Sequence, residues 1–195
     1  MGKNKEYKTI KGKVPILLSA PHVYEHKRPS LSSKYKQGEP WTDYIVENVC
    51  SEIDAFGIVS LKEQSFDPSY YELEKSNYKQ DVKNIVKEAK VKYFFDVHGL
   101  SDNYSYDFGI YYLKRFPNSK DLAYSLADYL NKGSLRNCLI QILNLPEGKQ
   151  KTLAGFTTED LGAYGLQIEI SRYIREDDNL REGFVKNFSD FLINL

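Results

Sequence analysis

Apolar and polar positions along this 195-residue chain fall into two alternating patterns. Short apolar runs at 14–20, 57–61, 92–97, 108–113, 138–143 and 166–171 predict buried strands. Between them, apolar residues recur at helical spacing. Ile45, Val46, Val49, Cys50 and Ile53 share one face of 42–54, and Val82, Ile85, Val86 and Ala89 do the same in the next segment. Leu122, Leu126, Tyr129 and Leu130 line one side of 119–132, where Gly133 predicts the C-cap. Leu180, Phe184, Phe188 and Phe191 form a last stripe. Strands alternating with helices predict an α/β fold: three layers, α/β/α, around a central mixed, mostly parallel sheet. The length and the absence of a long internal linker predict one domain over 1–195.

Charge narrows the partners. The chain carries 27 basic and 27 acidic residues, so its net charge is zero. No basic surplus points to nucleic acid or to an anionic membrane, and no apolar stretch is long enough to span a bilayer. Cys50 and Cys138 lie among apolar neighbours without metal-ligand spacing, which predicts free thiols and a reducing, cytoplasmic setting. Lysines precede the first apolar run, but that run is short and charged up to its edge. A core strand explains it better than a signal peptide.

The chemistry concentrates where strands end. In "SAPHVYEHKRP" an apolar strand leads directly into His22, with Glu25 three residues on. In a helical or tight turn, side chains at i and i+3 converge, so His22 and Glu25 form a two-ligand clip for zinc. His26 is then a bystander. In "FFDVHG", Asp96 and His98 point to the same face of a buried strand. His98 supplies a second imidazole and Asp96 orients it from behind; a plain buried Asp–His pair is the alternative. In "LQIEISRYIRED", Glu169 leaves a strand on its polar face. Two histidines and one carboxylate leave a zinc position open, and hydrolysis then wants a separate base, for which Glu169 is the best candidate. An interior salt bridge to Arg172 or Arg175 is its competitor. Arg28 follows the clip, as a carboxylate-binding group or as an exposed loop arginine. Asp43 begins a helix, where an acidic residue is favoured by the dipole alone. Tyr70, Tyr71, Tyr104 and Tyr106 sit in long loops, as pocket walls or as ordinary packing.

Taken in order, "SAPHVYEHKRP", "FFDVHG" and "LQIEISRYIRED" resemble the motifs of the N-formylglutamate amidohydrolase family, and "EPWTD" and "AGFTTEDLGAYG" are also similar to it. The resemblance spans most of the chain. It implies a zinc-carboxypeptidase-like fold, one zinc ion held by His22, Glu25 and His98, and Glu169 as general base. It also places Asp43 and Arg172 in or beside the cleft. The chain departs from the family at Val23-Tyr24, where a small residue and glycine are usual.

The expected activity is zinc-dependent hydrolysis of an amide in a small carboxylate-bearing substrate, with Arg28 or Arg172 holding the carboxylate. A peptidase of the same fold and a non-catalytic metal-binding domain are the rivals. A closed pocket speaks against the first, and an open metal position against the second.

Overall fold

The computed structural model of the protein describes residues 6–28, 35–68, 73–145 and 152–195. The strands among the described residues are β1 (Tyr7–Ile10), β2 (Val14–Ala20), β3 (His26–Lys27), β4 (Tyr35–Lys36), β5 (Ala55–Ser60), β6 (Tyr93–Gly99), β7 (Phe108–Tyr112), β8 (Ile140–Asn144) and β9 (Tyr164–Ile170). Seven of them form one sheet in the order β1-β5-β2-β6-β9-β7-β8, and β3 pairs with β4 in a small ribbon. The run β5-β2-β6-β9 is parallel. β1 is antiparallel to β5, and β7 is antiparallel to β9 while parallel to β8. The sheet is therefore mixed and mostly parallel, as the alternation of strands and helices predicts.

Helices cover both faces. α1 (Thr42–Ile53), α3 (Pro117–Leu130) and α6 (Asp178–Ile193) bury their apolar stripes against Leu18, Ala20, Phe95, Val97, Leu166 and Ile168. Phe188 of α6 meets Phe95 edge-on, with ring centroids 5.3 Å apart. Burial of one such aromatic ring contributes about 1.5–3 kcal/mol. On the other face, α2 (Asn77–Glu88) and α4 (Leu153–Glu159) pack on Leu17, Ile58 and Phe94. A short α5 (Arg172–Glu176) connects β9 to α6.

Alternation along the strands decides where the polar residues go. Phe95 and Val97 belong to the α1/α3/α6 layer, so Asp96 and His98 share the opposite face with Phe94. Leu166, Ile168 and Ile170 likewise send Gln167 and Glu169 to that face. β2, β6 and β9 run parallel and end side by side, so their polar residues collect outside the carboxyl ends of the strands, where α/β sheets hold ligands.

Local details differ from the periodicity. α3 is capped by Asn131, and Gly133, at φ 57°, instead opens a single 3-10 turn over Gly133–Leu135. β1 has no counterpart in the predicted elements, because four residues paired only along one edge leave little apolar pattern. Cys50 is buried, Cys138 half-buried, and both are free thiols. No helix among the described residues is long and apolar enough to cross a membrane.

Candidate active site

His22 lies in the turn after β2 and is almost fully buried. Its two ring nitrogens face different partners. Nε2 is 2.9 Å from Asp67 Oδ1. Nδ1 is 3.1 Å from His98 Nδ1 and 3.6 Å from Glu39 Oε1. His98, at the end of β6, repeats the arrangement. Its Nε2 is 2.9 Å from Asp96 Oδ2, though out of line for a hydrogen bond, and its Nδ1 is 3.2 Å from Glu39 Oε2.

Glu39 is the third member, brought in by the segment that leads into α1. The backbone N–H of Gly99 donates to its Oε2 at 3.0 Å, and Lys36 Nζ, on β4, lies 3.2 Å from its Oε1. The Thr42 hydroxyl donates to the Glu39 carbonyl at 2.7 Å and ties the segment to the first turn of α1. Burial alone would raise the Glu39 pKa, but His22 and His98 outweigh it and hold the carboxyl well below its usual range. Burial alone would lower both histidines. Asp67 and Glu39 instead raise His22, and Asp96 and Glu39 raise His98 well above its usual value.

These three residues fit a bound cation. His22, Glu39 and His98 each offer one ligand atom, all within 4.8 Å of one another. A tetrahedral zinc with bonds of about 2.0–2.1 Å holds its ligand atoms roughly 3.3–3.4 Å apart. The two Nδ1 atoms are 3.1 Å apart, and Glu39 sets one oxygen against each of them, Oε1 3.6 Å from His22 and Oε2 3.2 Å from His98, all close to that value. Each imidazole also has a carboxylate behind its outer nitrogen, the arrangement that orients metal-bound histidines. His22, His26 and Asp67 form a second group of possible ligands. It suits a cation poorly, because Arg28 Nε already lies 2.7 Å from Asp67 Oδ2 and brings a fixed positive charge. His26 stacks on His22 with ring centroids 3.9 Å apart, and burial together with His22 pushes its pKa down to about 3.

The structure brings together His22, His98, Asp96 and Glu169, but it leaves Glu25 outside. Glu25 is exposed, and neither group of possible ligands among the described residues includes it. The clip at i and i+3 needs a helical or tight turn that carries through to Glu25. Here the chain extends from the turn at His22 into β3, so His26 stacks on His22 while Glu25 points outward. Glu39 stands where Glu25 was expected. It lies in "EPWTD", and that motif was its only signal in the sequence. Asp67, from a loop before α2, had none.

Glu169 is the register partner of His98 across β6 and β9. Gln167 Nε2 donates to its Oε1 at 2.8 Å. Burial raises its pKa above the usual carboxylate value, partly offset by His98. Both residues line a cleft of about 620 Å³ that also takes in His22 and Glu39. Arg28 engages Asp67, behind His22. Arg172 is at the cleft rim, exposed, with Nε donating to Glu176 at 2.7 Å. Asp43 occupies the first turn of α1 and is not among the described residues lining the cleft. Tyr104 lines the cleft, and Tyr106 shares a hydrogen bond with Tyr111, which lines it too. Tyr70 and Tyr71 lie outside the described residues.

Protein-family models give no match to the sequence, and neither do the curated proteins. Solved structures do match. A bacteriophage poly-gamma-glutamate hydrolase superposes with a TM-score of 0.62 at 13% identity, covering 100% of this chain and 91% of that one. The succinylglutamate desuccinylase of Chromobacterium violaceum gives 0.62 at 12% identity, over 92% of this chain and 63% of that one. A metallo-carboxypeptidase of Burkholderia cenocepacia gives 0.62 at 11% identity, over 95% and 57%. The fold is zinc-carboxypeptidase-like. At these identities the likeness is one of fold.

Proposed function

We propose that this protein is a zinc-dependent hydrolase that cleaves an amide bond in a small carboxylate-bearing substrate, with N-acyl amino acids, N-formyl ones included, as the class to try first. The observation that carries this reading is the convergence of His22 Nδ1, His98 Nδ1 and the Glu39 carboxylate, with an aspartate behind each imidazole. Zinc held by these three would supply a Lewis acid for the scissile carbonyl and acidify water toward a pKa of about 7. Three protein donors among the described residues, rather than four, favour a catalytic over a structural metal.

Glu169 is the proposed general base. Its carboxylate is held by Gln167, beside His98, and its raised pKa brings it nearer the range where a base works at neutral pH. It takes a proton from water in the cleft and returns it to the leaving amine. Asp67, hydrogen-bonded to Nε2 of His22, holds that imidazole in the tautomer that leaves Nδ1 free, and Asp96 sets its charge against Nε2 of His98. A cleft of about 620 Å³ suits a small molecule better than a long peptide. Two of the fold neighbours are named for glutamate-containing substrates, in keeping with a carboxylate on the substrate.

The test is metal analysis of the purified protein followed by a panel of N-acyl amino acids, their carboxamide analogues and short peptides. The expected result is about one zinc per chain and hydrolysis of the small acids. No hydrolysis by the zinc-loaded protein of any member of the panel would reject the reading, and faster cleavage of long peptides would favour a peptidase.

A further inference from the structure

Arg175, on α5, is only 3% exposed, yet it lines the cleft. Its Nε donates to the Ile170 carbonyl at 3.0 Å and its Nη1 to the Pro40 carbonyl. A Cβ placed on Gly99 would lie 2.7 Å from Nη2 and 2.9 Å from Cζ, so the guanidinium rests directly against the Gly99 backbone. Pro40, Gly99 and Ile170 each follow a residue of the site: Glu39, His98 and Glu169. One side chain thus touches the chain immediately beyond the carboxylate ligand, the histidine ligand and the base.

The same geometry leaves a donor in reserve. A guanidinium carries five N–H groups and stays charged in proteins. Nε and Nη1 are engaged by carbonyls, which are neutral, and among the described residues Nη2 makes no hydrogen bond. Glu39 is the buried anion that acts most strongly on Arg175, but it is already shared by His22, His98, Lys36 and the Gly99 N–H. A buried cation with donors to spare on the floor of a cleft favours an anionic ligand. The two arginines expected from the sequence have other engagements: Arg28 with Asp67 and Arg172 with Glu176.

We propose that Nη2 of Arg175 anchors the carboxylate of the ligand, beside Gly99 and Glu39 at the bottom of the cleft. This rests on the hydrolase reading for the identity of the ligand as substrate, but not for the anion subsite itself. Carbonyl contacts fix the guanidinium before the ligand arrives, so little freedom remains to be lost on binding. Gly99 is required because any side chain there would displace the guanidinium.

Calorimetric titration with glutarate and with neutral glutaramide, on zinc-loaded and on metal-free protein, tests the subsite. The unaltered chain should prefer glutarate. Arg175→Met should weaken glutarate by about ten- to a hundredfold, the scale of a lost hydrogen bond to a charged group, and leave glutaramide and zinc content unchanged. Arg172→Gln should keep the preference. Four results would overturn the proposal: no preference in the unaltered chain, preference surviving in Arg175→Met, preference lost in Arg172→Gln, or both probes weakened together with zinc. The last would leave Arg175 as a clamp on Glu39 alone. If Arg175→Met does not fold, Arg175→Lys, which keeps the charge without the planar fork, should reduce the preference, and an unchanged preference would count against the subsite. Preference for glutarate in a chain that hydrolyses nothing would retain the subsite and reject the enzyme, so the two failures are distinguishable.

Discussion

His22 and His98 turn their Nδ1 atoms toward each other, 3.1 Å apart, while Nε2 of each faces an aspartate at 2.9 Å. Strand ends 76 residues apart thus present the same nitrogen to one point, with the same kind of support behind it. Glu39 approaches both nitrogens, its two oxygens 3.6 and 3.2 Å away. A pair of imidazoles held only for packing would have no need of this symmetry.

Metal content should follow the converging set and not the sequence spacing. His98→Ala and Glu39→Gln are each expected to lower zinc affinity by about a hundredfold or more, whereas Glu25→Gln keeps about one equivalent after dialysis. Elemental analysis of the three proteins decides it. Zinc lost from Glu25→Gln and retained by Glu39→Gln would restore the i, i+3 clip.

The aspartates behind the imidazoles should matter nearly as much. Asp67→Asn and Asp96→Asn are expected to cost about ten- to a hundredfold in zinc affinity, read by competition with a chromophoric chelator, while the folded circular-dichroism spectrum is kept. Unchanged affinity in both would mean that the carboxylates do not orient the ligands.

Glu169→Gln should retain zinc and lose hydrolysis by about a hundredfold. Because burial raises the Glu169 pKa, the acid limb of the rate profile should lie above the ordinary 4.5 of a glutamate. A rate that holds down to pH 4 would assign the base elsewhere.

Without metal, the cluster predicts a defined pH optimum for stability. Glu39 and Asp67 are held below their ordinary 4.5 and 3.8, so the unfolded chain takes up their protons first and stability falls with acid below about those values. His22 and His98 are raised above 6.5, so their contribution is complete below that pH and is lost as pH rises through the folded values. In chelator, the melting temperature should therefore peak between about pH 4.5 and 6.5, and saturating zinc should move the optimum upward, since ligands bind deprotonated. A melting temperature in chelator that rises from pH 6 to pH 8 would contradict the charged network.

Much of this site is legible in the chain because strands impose a period of two. Once Phe95 and Val97, or Leu166 and Ile168, are assigned to a core, Asp96, His98 and Glu169 must leave on the other face, and parallel order brings them to the same end. The apolar stripes of α1, α3 and α6 are legible for the same reason, their period matching the helix. Loops impose no such period. Whether Glu25 or Glu39 reaches His22 depends on the path from β2 to α1, and Asp67 arrives from a separate loop, 45 residues beyond His22. Arg175 reads in the sequence as one more charge after a strand. Only tertiary contacts lay it on Gly99 and against Pro40. Local periodicity determines which face a residue takes within its own element, but convergence of donors from four segments is a property of the folded chain, where burial and charge select which side chains meet.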